Sequence, residues 1–154
     1  MSEQFLHGVE VVQIDDGLRP IRTVRSSVIG VVGTAPDAAG ATAATLTLGS
    51  TALNTALTVT AQAAGLDGNL ISIAFPDPGE STAAIAVTVD GNAISVALAT
   101  DAEGAITSTA AEVKAAIEGD VDAAALVAVA HAGTSDGTGV VRAKAATKLA
   151  DGAD

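Results

Sequence analysis

Apolar and polar residues alternate through the middle of the chain. Leu57, Val59 and Ala61 alternate with Thr58, Thr60 and Gln62, the period of a half-buried strand. Gly65-Leu66-Asp67-Gly68-Asn69 is a turn cluster, and Leu70 to Phe75 predicts the next strand. Pro76-Asp77-Pro78-Gly79 stops it. Ile85, Val87 and Val89 alternate with Ala86 and Thr88. Asp90-Gly91-Asn92 then signals a tight turn, and Ile94, Val96 and Leu98 resume the pattern, which predicts a hairpin. Thr109 and Glu112 have capping-box spacing, so a helix is expected from there. Val113, Ala116 and Ile117 recur at helical spacing and Gly119 is its stop. A second short helical turn from Asp122 leads into an extended Leu126 to Ala130. Gly133 to Gly139 is a loop. Val140 to Leu149 predicts a last strand, with a helix as the alternative because of its Ala content.

The amino-terminal stretch reads differently. Residues 1–6 are expected to be disordered or pinned by a partner. Val9, Val11, Val12 and Ile14 predict a short strand, followed by an Asp15-Asp16-Gly17 turn. Pro20 restricts Arg19 to extended geometry. Ile21 to Val32 predicts a longer strand. It becomes continuously apolar from Val28 to Val32, as in strands buried on both faces. Pro36 to Ala44 has linker composition, which places a boundary near residue 40.

The pattern predicts an α+β, mostly β chain: an extended amino-terminal strand arm and a compact β-rich module with one or two short helices. Residues 1–20 form the arm, 21–36 a strand entering a core, 37–44 a linker and 45–152 the module. The strand over Val9 to Ile14 has no partner strand expected nearby, so it is expected to pair with another polypeptide. Val9, Val11, Val12 and Ile14 are the candidate interaction residues, with Gly17 and Pro20 as the hinge.

Composition sharpens this picture. Nearly half of the chain is hydrophobic, yet Phe5 and Phe75 are the only aromatic residues. At roughly 25 cal/mol per Å² of buried apolar surface, an Ala-rich core adds little per residue. Assembly is expected to supply further stability. The net charge is −11. After residue 40, 13 acidic residues face only Lys114, Arg142, Lys144 and Lys148. That half should repel nucleic acid and anionic membrane. Arg19, Arg22 and Arg25 lie together on one amino-terminal segment. They read as interface or strand-face charges, with phosphate binding as the alternative. No Cys is present, which excludes disulfides and thiolate metal sites. No signal peptide is read at the amino terminus, and no apolar run approaches the roughly 20 residues of a membrane span. A soluble protein made in the cytoplasm is expected.

Candidate chemistry is sparse. His7 and His131 have no second His or Cys at zinc-ligand spacing. A Ser-His-Asp triad has no Gly-x-Ser-x-Gly elbow to support it. Gly137-Thr138-Gly139 begins like a dinucleotide fingerprint, but Arg142 occupies its third glycine position. No P-loop is present. Glu118, Asp120 and Asp122 alternate, yet an EF-hand counted from Glu118 would hold Ala123 and Val129 where Gly and Glu are needed. These acids read as a helix end. The expectation is a non-enzyme without cofactor, metal or catalytic residues.

Five pieces of the opening segment carry a family resemblance: His7-Gly8-Val9, the alternating Val9 to Ile14, Gly17, Arg19 to Thr23, and the apolar Val28 to Thr34 ending in Ala35. Residues 5–37 resemble the amino-terminal segment of contractile phage tail sheath proteins. In that family, subunits wrap a rigid inner tube, and their arms add strands to neighbouring sheets. The resemblance implies that Val9 to Ile14 is a donated strand, that Asp15 to Pro20 is its turn or hinge, and that Val28 to Thr34 enters a core domain. It implies other sheath subunits and the tail tube protein as partners, and the virion tail as location. Residues 45–152 are similar to a β-rich module inserted in phage structural proteins. The sheath core itself is expected to lie outside these residues, either in a longer sheath chain or in a separate protein. A capsid or tail decoration protein that covers the particle or binds host surface is the alternative expectation.

Overall fold

The computed structural model describes the backbone of residues 10–15 and 19–25 and, in full, residues 40–154. The expectations for residues 1–6, for Val9 and Gly17, and for the apolar run from Val28 lie outside the described residues, as does the first part of the linker. Two units are distinguished, residues 1–39 and residues 40–154.

In the first unit, strand β1 (Glu10–Asp15) pairs antiparallel with β2 (Arg19–Arg25). Val11 stands opposite Val24, and Val12 opposite Thr23. The register shifts between Gln13 and Ile14, where Pro20 takes the place opposite Ile14. This corrects the expectation that the strand through Val11, Val12 and Ile14 lacks a local partner. Only three residues separate the two strands, so the entropy of closing the connection is small. Proline lacks an N–H and is tolerated in a strand at a bulge or an edge, which is where Pro20 falls.

The second unit holds two sheets and two helices. β3 (Ala43–Leu48), β4 (Leu57–Ala64) and β8 (Val127–His131) form an antiparallel sheet in the order β3-β4-β8. β5 (Ser72–Phe75), β6 (Ala86–Asp90), β7 (Ala93–Ala97) and β9 (Lys144–Lys148) form the other, in the order β6-β7-β5-β9. β6 and β7 are the predicted hairpin, with Val89 opposite Ile94. β5 runs parallel to β7 and antiparallel to β9. Helices α1 (Ala110–Gly119) and α2 (Val121–Leu126) lie between β7 and β8 in sequence. The mostly β, α+β class is as expected.

The core is drawn from both sheets and α1. Leu57, Val59 and Ala61 are buried on β4, Ile73 and Phe75 on β5, and Ile94 and Val96 on β7. Val113 and Ile117 close it from α1. Each fully buried Val, Leu or Ile contributes about 1.5–3 kcal/mol.

Three boundaries differ from the sequence reading. Ala43 and Ala44, assigned to the linker, belong to β3, and Ala44 is fully buried. Its methyl lies against the backbone of Gly68 and Gly152, where larger residues would not fit. The turn cluster after Gly65 is a 3-10 helix over Leu66–Leu70. The last strand is confined to Lys144–Lys148, and the helical alternative for this stretch is not what forms.

The two ends of the second unit run side by side. Thr42 and Ala153 exchange backbone hydrogen bonds of 2.8 and 3.2 Å, and Thr45 and Ala150 exchange bonds of 2.7 and 2.9 Å. The Asn69 side chain binds both the N–H and the carbonyl of Gly152, each at 2.9 Å.

The capping box of α1 forms as its spacing predicts. Glu112 N–H donates to Thr109 Oγ1 at 3.3 Å, and Thr109 N–H donates to Glu112 Oε2 at 2.8 Å. Loss of an N-cap side chain costs about 1 kcal/mol. Thr109→Ala should therefore lower the urea midpoint by that equivalent without changing the slope of the unfolding transition.

Candidate functional site

Among the residues marked as an interaction surface, Val11, Val12 and Ile14 lie on β1, and Arg19, Arg22 and Arg25 on β2. Pairing brings the two sets together. Glu10 stands opposite Arg25, Gln13 opposite Arg22 and Asp15 opposite Arg19. Pro20, expected as a hinge, is inside β2. A two-stranded ribbon satisfies backbone groups on one side of each strand. Among the described residues the other side of each strand has no partner, and such a side can pair with a further strand.

His131 ends β8 opposite Leu57. Gly137, with φ of +78°, lies over its ring, and a Cβ at that position would strike Cε1. Nδ1 of His131 is buried without a hydrogen-bond partner. The loop brings Ser135 and Asp136 near His131. Among the described residues, however, no hydrogen bond joins the imidazole to either, so the nucleophile–base contact of a triad is not made. Ser135 Oγ instead accepts from Gly137 N–H at 3.4 Å.

Asp136 serves the loop. The Thr138 hydroxyl donates to its Oδ1 at 2.7 Å, and Thr138 N–H donates at 3.1 Å. These bonds hold its carboxyl below the ordinary value of 3.8. A carboxylate with a depressed folded-state value stabilises the fold above its unfolded value, and that contribution fades as pH falls through the folded one. The stability difference between the wild type and Asp136→Asn should be constant above about pH 5 and should shrink as the pH drops below the ordinary carboxylate range. Urea midpoints across pH check this.

The remaining acidic candidates are structural. Glu118 pairs with Lys114 at 2.6 Å, and Asp120 Oδ1 accepts from Ala123 N–H at 2.9 Å to cap α2. Among the described residues, no group of three His, Asp or Glu side chains is placed to hold a metal ion. The Gly137 to Gly139 loop is stapled by its backbone. Gly139 N–H donates to Asn54, and the Gly139 carbonyl accepts from Ala110. No helix among the described residues is long and apolar enough to cross a membrane.

One groove escapes sequence reasoning because its walls come from distant segments. Leu48 at the end of β3 and Phe75 at the end of β5 line it, together with Leu53, Val140, Arg142 and Lys144. Its volume is about 250 Å³. Leu48 and Phe75 are buried, whereas Leu53 and Val140 are exposed. The sequence signal was faint: Arg142, Lys144 and Lys148 are clustered cations in an acidic half.

Comparison with known proteins locates one relationship. A stretch of 36 residues is 50% identical to the tail sheath protein of Burkholderia phage BcepMu. The stretch is 23% of this chain and 8% of that protein, so the match spans a small part of the relative's length. No protein-family model matches the chain, and no solved structure matches it.

Proposed function

We propose that this chain is a structural subunit of a contractile phage tail, a sheath subunit or a sheath-derived arm with its module, and that it acts by assembly and not by catalysis. The observation that carries this reading is the 36-residue likeness to a tail sheath protein. The β1–β2 ribbon supports it physically. Among the described residues each strand pairs along one side only, and main-chain hydrogen bonds along a free side give affinity without special side-chain chemistry. A two-stranded ribbon is marginal alone in water and gains most from a third strand. The donated element in this reading is the hairpin, in place of a single strand. Its acceptors are other copies or sheath subunits around the tail tube protein, which places the protein in the virion.

The second unit suits a module carried on such a subunit. Its ends are bonded to one another, so a larger fold can hold it in a loop without prising it open. A decoration protein that docks through the module is the competing reading.

Proline in β1 separates the two. Adjacent residues of an antiparallel strand direct their N–H groups to opposite sides, so one of Val11→Pro and Val12→Pro damages the ribbon and the other its free edge. Under the sheath reading, both variants fail to enter tails in a complementation assay scored by electron microscopy of virions, while the second unit keeps its thermal transition. Normal incorporation of both, or of a chain lacking residues 1–20, would favour the decoration reading. Absence of the wild-type protein from the tail would overturn both tail readings.

A further inference from the structure

The groove and one corner of the second unit are complementary in apolar character and charge. Leu53 and Val140, at the groove, are 60% and 49% exposed beside Arg142 and Lys144. Of the four cations in the unit, Lys114 is paired with Glu118, so the cationic character concentrates along residues 142–148. Such a site suits an apolar side chain flanked by carboxylates.

The chain presents that chemistry at the junction of α1 and α2. Val121 is 83% exposed, the highest among the large apolar residues described. It stands between Asp120 and Asp122, and the Asp122 side chain is also exposed. A single exposed apolar side chain is ordinary on a surface; what gives this one a partner is the pair of carboxylates that flank it, which match the cations at the groove.

The two features cannot meet within one chain. The start of α1 is tied to the groove segment: Ala110 N–H donates to the Gly139 carbonyl at 3.0 Å, and Val141 N–H donates to the Ser108 carbonyl at 2.9 Å. α1 then runs ten residues before Val121, about 15 Å at 1.5 Å per residue. The knob stands at one end of the helix and the groove at the other.

We propose that Val121 of one copy seats in the Leu53–Val140 groove of the next, with Asp120 and Asp122 against Arg142 and Lys144. The occupant is a second copy of this chain. The contact joins two different patches, so it is heterologous and propagates head to tail. It supplies a second link between subunits, separate from the hairpin. It shares with the proposed function only the premise that copies assemble.

The absence of Cys makes the contact directly readable. Full-length Val121→Cys and Leu53→Cys proteins are mixed under mild oxidation. Leu70→Cys, at a site 54% exposed, replaces Leu53→Cys as the control. A seated knob raises the local thiol concentration, so the Val121/Leu53 mixture should form disulfide-linked dimers at least about tenfold faster than the Val121/Leu70 control. A single chain carrying both Val121→Cys and Leu53→Cys should give a ladder of multimers. Adding Arg142→Glu and Lys144→Glu to the Leu53→Cys partner should return the rate to the control. An unchanged thermal transition of that variant shows that its fold is intact. Equal rates with Leu53 and Leu70 partners, or faster linking of Leu53→Cys to itself, would overturn the proposal. Because neither thiol lies in the hairpin, failure here leaves the tail reading standing, and failure of virion incorporation leaves the disulfide result standing.

Discussion

A core made of small side chains must be closed by backbones that approach one another, and much of the second unit depends on that constraint. Phe75 is its single aromatic residue. Ala44 packs where Gly68 and Gly152 have no side chain, and Gly139 passes so close to the Leu53 carbonyl that a Cβ would collide with it. Dense packing of this kind recovers dispersion contacts that bulky side chains would otherwise supply. It also explains why the unit is held at its ends by backbone pairing and by Asn69 instead of by a large apolar plug.

The same constraint shapes the surface. The close passage of Gly139 ties the 137–141 segment to Leu53 and Asn54, and so sets Leu53 and Val140 along one groove. The buried end of β5 places Phe75 among the residues lining that groove. Packing economy in the interior thereby creates an apolar recess on an acidic unit. Arg142 and Lys144, which line it, have no salt-bridge partner among the described residues. β9, which carries Lys144 and Lys148, is an edge strand, and charged lysines on an edge also discourage uncontrolled strand pairing. Selective contact through a groove and protection of a bare edge are compatible uses of one charge distribution.

In the amino-terminal unit, local chain entropy favours pairing within the chain. A connection of three residues favours β2 as the first partner of β1, whatever other copies offer. Among the described residues the ribbon has two strands, each paired along one side. A further strand pairing with this ribbon would meet a partner already in register, which lowers the ordering cost of pairing.

Local signals determined much of this protein without the structure. The alternation at Leu57 to Ala61, the Asp90-Gly91-Asn92 turn and the Thr109 and Glu112 capping box each depend on neighbours within a few residues, and each forms as read; the helix also ends at Gly119, but on an extended Asp120 and not on a left-handed glycine. Tertiary structure decided the rest. Ala43 and Ala44 look like linker because composition cannot tell a flexible Ala from one packed under Gly68 and Gly152. Val11 and Val12 look unpartnered because alternation specifies a strand but not which strand it meets. The groove joins residues 48, 53, 75 and 140–144, and the knob stands one helix length away. Proximity between distant segments is set by packing, so no pattern along the chain announces it.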